Sequence, residues 1–355
     1  MPLSLLTPAD ARALGISWPD VYFSPGWGEA CEVSDGAPWE LAYDPAGPIV
    51  YPYLKRPVPS ALPGSDGRWD AVSPYGYAGT WCPGDLPIER LAAFREELRR
   101  VWAAAGCVAE FQRMSGLVGD PTRVLAADAG LTGRHLADTV VIPLSAGADA
   151  AFAAYEGRAR TKVRKAAKLG YTWSIRPTTP EDLTPDAPFP VLYRRTMELA
   201  EAKPWYFFPE AYFQRLHDGL DGGLRLLEVH DAEGVVRSAG LVLVPAPRSE
   251  NGLLHLHLTG SDRDALRDGA GNLLYDGLIR WGCANGFARL HIGGGLTKDD
   301  ALFYFKQSFG GERVPFWIAS AVIDPAAYEA LTAARAAQTE RAPEALTGFF
   351  PAYRA

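Results

Sequence analysis

The residues best able to act on charge lie between Phe287 and Arg313. This stretch reads as a strand at Ala288 to Ile292, the glycines Gly293, Gly294 and Gly295, a polar turn, and a short aromatic helix. The helix carries Leu302, Phe303, Phe305 and Phe309, with Lys306 as its single positive charge, and stops at Gly310-Gly311. Consecutive glycines after a strand let backbone approach a ligand closely and permit positive φ. Asp299 and Asp300 stand where a helix N-terminus favours negative charge. Leu302, Phe305 and Phe309 repeat at three and four residues and predict one apolar face. Lys306 there is either a snorkelling, solvated lysine or a cation on a dry aromatic surface, where its field is far stronger than in water.

Three further patterns concern anions and ligands. Gly269-Ala270-Gly271-Asn272 follows a strand and opens a helix, an arrangement that turns free N–H groups and the positive dipole end toward a phosphate. Arg158, Arg160, Lys162, Arg164, Lys165 and Lys168 occupy one helix with no acid among them. That run is either a solvated face or a phosphate-neutralising one. Ser73 to Gly79 mixes small residues with Tyr75 and Tyr77, and reads either as a ligand-stacking loop or as a surface turn with packed tyrosines. His255 and His257 share a strand face with Thr259, but no carboxylate or cysteine pattern completes a metal site, so none is assigned.

The chain has 355 residues and net charge −7, enough length for two domains and the wrong sign for a general nucleic-acid coat. No DNA partner is expected, although a local basic groove is compatible with this balance. The four cysteines are scattered without a CxxC pair, which fits a reducing cytoplasm better than a disulfide framework. Met1 to Asp10 lacks the pattern of a secretory signal, and no run is long and apolar enough to span a membrane.

Elements must hold these residues. A short helix near Pro8 to Leu14 precedes an aromatic, Pro/Gly-rich segment. Strands at Trp39 to Tyr43 and Pro48 to Leu54 pair around a turn, and 57 to 70 is a loop. Pro87 to Ala105 is an amphipathic helix presenting Leu91, Phe94, Leu98 and Trp102. Strands follow at Val108 to Met114 and Asp138 to Leu144. After the basic helix come helices at Phe189 to Ala200 and Pro209 to Leu220, joined by an aromatic hinge, Lys203 to Phe208, read as core packing in preference to a base-stacking platform. Strands at Gly223 to His230, Val235 to Val244 and Gly252 to Thr259 have connections too short for crossovers, so they are antiparallel. The fold class is α+β: two domains of mixed, mostly antiparallel sheet flanked by helices, with a cleft between them. The expected boundaries are 1–145, 146–323, and a tail at 324–355 that packs back on the first domain.

The order of elements in residues 223 to 323 resembles the GNAT acyltransferase core. Arg164 to Gly170 is similar to the basic helix of the Fem family, whose members pass amino acids from aminoacyl-tRNA to amines of peptidoglycan precursors. Leu290 to Gly295, then Leu302 to Lys306 with Phe309-Gly310, resembles that family's C-terminal block, and Tyr206 to Pro209 with Tyr212-Phe213 fits the same pattern. Pro52 to Arg56 and the Ser73 to Gly79 loop resemble a bacterial Fem-like branch. The resemblance implies twin GNAT-like domains with a substrate channel between them. It implies that Lys306 stabilises the tetrahedral intermediate's negative charge and that Phe305 contacts the donor's terminal adenosine. Gly269, Gly271, Asn272, Gly293, Gly294, Arg164 and Lys165 then belong to the donor side; Lys55, Arg56 and Tyr212 to the acceptor side. The chain departs from the family in lacking a long helical arm. Phe208-Pro209 also stands where members holding a nucleotide-linked precursor have a basic residue.

Three functions compete. In the first, an acceptor amine attacks an aminoacyl-tRNA ester directly, without a covalent enzyme intermediate or a cofactor, and Tyr75, Tyr77 or a water chain takes its proton. The acceptor is a peptidoglycan precursor or small peptide. In the second, the donor is an acyl-CoA whose pyrophosphate lies on Gly269 to Asn272, although Leu266 stands where the full motif has Arg or Gln. In the third, the chain is a non-catalytic tRNA- or glycan-binding module.

Overall fold

Strands form where apolar residues alternate or run together, and their order repeats along the chain. They are β1 (Ser4–Leu6), β2 (Trp39–Asp44), β3 (Ile49–Pro57), β4 (Trp69–Val72), β5 (Cys107–Ser115), β6 (Thr132–Pro143), β7 (Thr172–Pro177), β8 (Leu224–His230), β9 (Val236–Leu243), β10 (Leu253–Ser261), β11 (Arg289–Gly294) and β12 (Glu312–Val322). The computed structural model describes residues 3–245 and 252–355. The chain divides into two units, residues 1–136 with 315–355, and residues 137–314.

In the first unit the strands run β1-β2-β3-β4-β5-β12; in the second they run β7-β8-β9-β10-β11-β6. Each series is antiparallel except for one parallel neighbour pair, β4 with β5 and β10 with β11. A parallel pair needs a crossover. The helices Ile88–Ala104 and Ala270–Ala284 supply it at equivalent places. The first buries Leu91, Phe94, Leu98 and Trp102 as the spacing predicts, each such side chain being worth about 1.5–3 kcal/mol. The second is apolar on most faces and lies in a core with Leu254, Leu256, Leu290, Ile292, Phe303 and Phe309.

Several expectations are corrected. The aromatic, Pro/Gly-rich segment, to which the sequence assigns no element, contains a helix at Pro25–Asp35, capped by Ser24 and with proline in its first turn, where proline is tolerated. Its Gly28 lies so close to Trp39 that a Cβ there would be 2.5 Å from the indole. The loop at 57–70 ends early, because Trp69 already begins β4. The aromatic hinge is not core: Trp205 is 62% and Phe207 40% exposed.

A buried ion network braces the first unit. Arg95 bonds Glu110 at 2.6 Å and Asp128 at 3.0 Å, and all three are almost fully buried. Gln112 donates to Glu110 and accepts from the Thr80 backbone and hydroxyl, so the network fixes the end of the Ser73–Gly79 loop. Residues 325–355 also belong to this unit. Arg354 bonds Asp70 at 2.6 Å and Arg68 bonds Asp324 at 2.7 Å. Removing one member of a buried pair leaves the other charge uncompensated. We expect Arg95→Met to cost about 3–5 kcal/mol in urea denaturation; a cost below about 1 kcal/mol would show that the network does not brace the fold.

Candidate active site

The turn after β11 is held by one carboxylate. Asp300 caps the Ala301–Gln307 helix by accepting from Phe303 N at 2.8 Å, and also accepts from Leu296 N at 2.6 Å and Thr297 N at 2.8 Å. Burial raises its pKa, but the N–H donors of Thr297, Phe303 and Leu296 outweigh this and hold it below the usual carboxylate range. The glycines make this turn possible. Gly293 has φ +72°, and a Cβ on Gly295 would fall 2.1 Å from the Asp300 carboxylate. Asp299 pairs with Arg313 at 2.8 Å.

Lys306 reaches back to the same strand end and donates to the Gly294 carbonyl at 2.7 Å. The residue is half-buried, and protein surrounds its amine closely enough that burial pushes the pKa down to about 8, the Asp300 carboxylate opposing this. The apolar face of the helix differs from the expected one. Phe303 and Phe309 are buried, whereas Leu302 is 38% exposed. The helix ends at Gln307, so the three-and-four spacing does not extend to Phe309. Phe305 is half-buried and meets Tyr275 and Phe309 edge-on at 5.2 and 5.5 Å between centroids.

A row of polar side chains crosses the sheet beside this lysine. His255 and His291 are register partners on the parallel strands β10 and β11, both buried, with their Nδ1 atoms 3.0 Å apart. Burial lowers the His291 pKa well below its ordinary value, and His255 and Lys306 lower it further. His257 is hydrogen-bonded to the Tyr212 hydroxyl at 2.9 Å and is pushed down to about 3, first by burial and then by His255. The expectation that Thr259 shares the histidines' face is overturned. A bulge between Leu256 and Leu258 shifts the register, which turns Thr259 to the opposite face. Sequence reasoning weighed His255 and His257 as metal ligands and missed His291. The signal was present in the two Leu-His pairs, Leu254-His255 and Leu290-His291, which a parallel register places side by side.

The structure thus brings Lys306, Phe305, Gly293 and Gly294 together at the end of β11. Gly269, Gly271 and Asn272 lie elsewhere in the unit. A short helix, Arg263–Asp268, separates them from β10, so no strand feeds the glycine turn directly. Residues 269 to 271 are buried, and a Cβ on Gly269 would meet the Lys162 carbonyl at 2.4 Å. The basic helix, Gly157–Lys168, packs here. Lys162 and Lys165 donate to the Arg267 carbonyl at 2.7 and 3.0 Å, Lys165 also pairs with Asp268, and Arg164 lies over the Phe152 ring.

In the first unit, Arg56 pairs with Asp35 at 2.6 Å, and Lys55 lies 3.8 Å from Glu40 and over the Trp69 ring. Tyr75 and Tyr77 are half-buried. The Tyr75 carbonyl accepts from Trp27, and the Tyr77 ring packs edge-on against Tyr22 and Phe316. Tyr212, in the second unit, is fully buried with Phe208 stacked on it at 4.3 Å.

Residues 153–306 match the acetyltransferase (GNAT) domain family. No curated protein sequence matches the chain. Among solved structures, FemX is similar at 15% identity and a TM-score of 0.67, covering 93% of this chain and 99% of its own. The C-terminal domain of a putative lysylphosphatidylglycerol synthetase from Agrobacterium fabrum is similar at 14% identity and a TM-score of 0.55, with coverage of 92% and 93%. L-PGS from Bacillus licheniformis follows at 15% identity and 0.52, with coverage of 85% and 92%. At these identities the likeness is one of fold.

A lysine held charged in a dry place costs stability. Its amine titrates at about 8 in the fold against an ordinary value of 10.5, so the unfolded chain binds more protons between these values. The cost is full below about pH 8 and fades as pH rises to about 10.5. We expect Lys306→Met to raise stability at pH 7 by about 1–3 kcal/mol, discounted for partial exposure. The advantage should vanish above about pH 10.5. Urea midpoints at both pH values check this; equal stability at pH 7 would place the amine in solvent.

Proposed function

We propose that this chain, an acyltransferase of the GNAT family with a Fem-like fold, transfers an amino acid from aminoacyl-tRNA to an acceptor amine in the cytoplasm. The observation that carries the reading is the desolvated Lys306 amine at the glycine turn. The acceptor amine attacks the ester carbonyl, the C–O bond to the ribose breaks, and the proton the amine loses ends on the departing ribose oxygen. Negative charge builds on the carbonyl oxygen in between. A cation in a dry site, spending one N–H on Gly294, stabilises that charge far better than a solvated one.

In this reading Phe305 contacts the donor's terminal adenosine, while Gly293 and Gly294 let the donor backbone approach. Arg164 and Lys165 neutralise tRNA phosphates, and Tyr75 and Tyr77 lie on the route of the amine's proton. Lys55 and Arg56 are the acceptor-side cations, and an anionic acceptor there competes with Glu40 and Asp35. Tyr212 acts on the acceptor through Phe208, which covers it. The acceptor is a peptidoglycan precursor or small peptide. FemX and the lysylphosphatidylglycerol synthetases lend this reading a fold and no more.

The family match favours a second reading, in which the donor is an acyl-CoA. Against it, residues 269 to 271 are buried, and Gly269 packs against the backbone of the basic helix. Free cysteines at all four positions suit either reading, and no described helix is long and apolar enough to cross a membrane.

The decisive measurement is binding to mixed aminoacyl-tRNA and, separately, to acetyl-CoA across a salt series. Affinity for tRNA should fall steeply with salt and weaken when Arg164 and Lys165 are neutralised. Saturable CoA binding without tRNA affinity would replace the first reading by the second. With the donor identified, Lys306→Met should lower the transfer rate by about 10² or more; an unchanged rate would remove the lysine from the mechanism.

A further inference from the structure

Buried polar groups cost stability unless they are hydrogen-bonded, and apolar residues would fill the centre of a sheet more cheaply. His255 and His291 nevertheless sit there, exposed by 0% and 1%. Their Nδ1 atoms approach to 3.0 Å, which requires one ring to donate Nδ1–H to the bare Nδ1 of the other. A neutral pair therefore holds two different tautomers. β11 continues from His291 to Gly294, whose carbonyl anchors the Lys306 amine.

The surroundings fix what this pair can do. β10 contributes His257 alongside His255, and the Glu210–Gly219 helix contributes Tyr212, bonded to His257. The turn and the Ala301–Gln307 helix contribute Asp300 and Lys306. On the other side β6 sets apolar Val141 opposite His291. Electrostatic coupling links Lys306 to His291, His291 to His255, and His255 to His257.

We infer that His255 and His291 are positioning residues for Lys306: a dry, hydrogen-bonded imidazole pair that fixes the strand end holding the amine and leaves the positive charge on the lysine. The pair does not touch substrate. It acts through Lys306, and the inference deepens the proposed function and rests on the role given there to that lysine. An apolar pair would fill the sheet equally well but could not hydrogen-bond across the β10–β11 register and so fix the strand that carries Gly294. A charged pair would repel it.

The test reads protonation directly and needs no substrate. Histidine ring nitrogens are followed by NMR on the full chain, ¹⁵N-labelled, from pH 4.5 to 9. The wild type should show one Nδ1–H and one Nε2–H tautomer for the pair, both neutral at pH 7. In Lys306→Met the His291 titration should move up by about half a pH unit or more, because a repelling cation is gone. Lys306→Gln is measured beside it to separate charge from packing, and Lys165→Met serves as control. In His291→Asn, water should reach the amine and raise the Lys306 titration, followed by pH-dependent amine labelling, by about half a unit from its value near 8. Unmoved histidine titrations in both Lys306 variants, or a charged pair at pH 7, would overturn the inference. Loss of transfer in Lys306→Met with unmoved histidines keeps the proposed function and sinks this one; a coupled pair in a protein without transferase activity does the reverse.

Discussion

One carboxylate decides the shape of the active-site turn. Asp300 takes three backbone N–H donors, from Leu296, Thr297 and Phe303, and so ends the strand, closes the turn and starts the helix at once. This clasp explains the glycines better than ligand access alone does. Gly295 must lack a Cβ because the carboxylate occupies that place, and Gly293 takes positive φ at the register shift between His291 and Gly294, where β11 still pairs with β6. Lys306 can then fold back onto the Gly294 carbonyl. Without the clasp the helix would lose its cap, and the amine would lose its fixed approach to the strand.

Two cations among the described residues contrast: Arg95 is fully buried, and Lys306 is half-buried. Arg95 lies among Glu110 and Asp128 with its nitrogens spent on carboxylates. Its charge is matched, and it braces the fold. Lys306 bonds a neutral carbonyl, with Asp300 acting on it electrostatically. Burial without a matching counter-charge is costly, and its pKa falls. Perturbed groups of this kind cluster at functional sites. The parallel β10–β11 pair shapes the adjoining sheet. Its register sets one histidine against another, and the β10 bulge sends Thr259 to the opposite face.

The sequence made most elements legible because their signals are local. The Ile88–Ala104 helix follows from its apolar spacing, and the antiparallel run β8-β9-β10 from its short connections. The site was legible in part for the same reason: strand, glycines and aromatic helix are contiguous. What stayed hidden depends on tertiary partners. Pro25–Asp35 has poor helix composition, and its close approach to Trp39 is visible only when packed. The His255–His291 contact needs the register of two strands separated by a helix. Trp205 and Phe207 look like core residues by type, yet lie at the surface.

The basic helix shows how misleading charge counted along a sequence can be. Its run of Lys and Arg reads as a ready phosphate surface. In the fold, Lys162 and Lys165 converge on the Arg267 carbonyl at the end of the Arg263–Asp268 helix. Cations are favourable there because the helix C-terminus carries partial negative charge. The same packing buries residues 269 to 271. One set of contacts therefore consumes part of the positive charge and packs the basic helix against the glycine turn. Of the run, Arg158, Arg164, Lys165 and Lys168 remain exposed, yet Arg158 pairs with Glu156, Arg164 lies over the Phe152 ring and Lys165 pairs with Asp268, so charge counted along the sequence overstates the charge left unengaged in the fold.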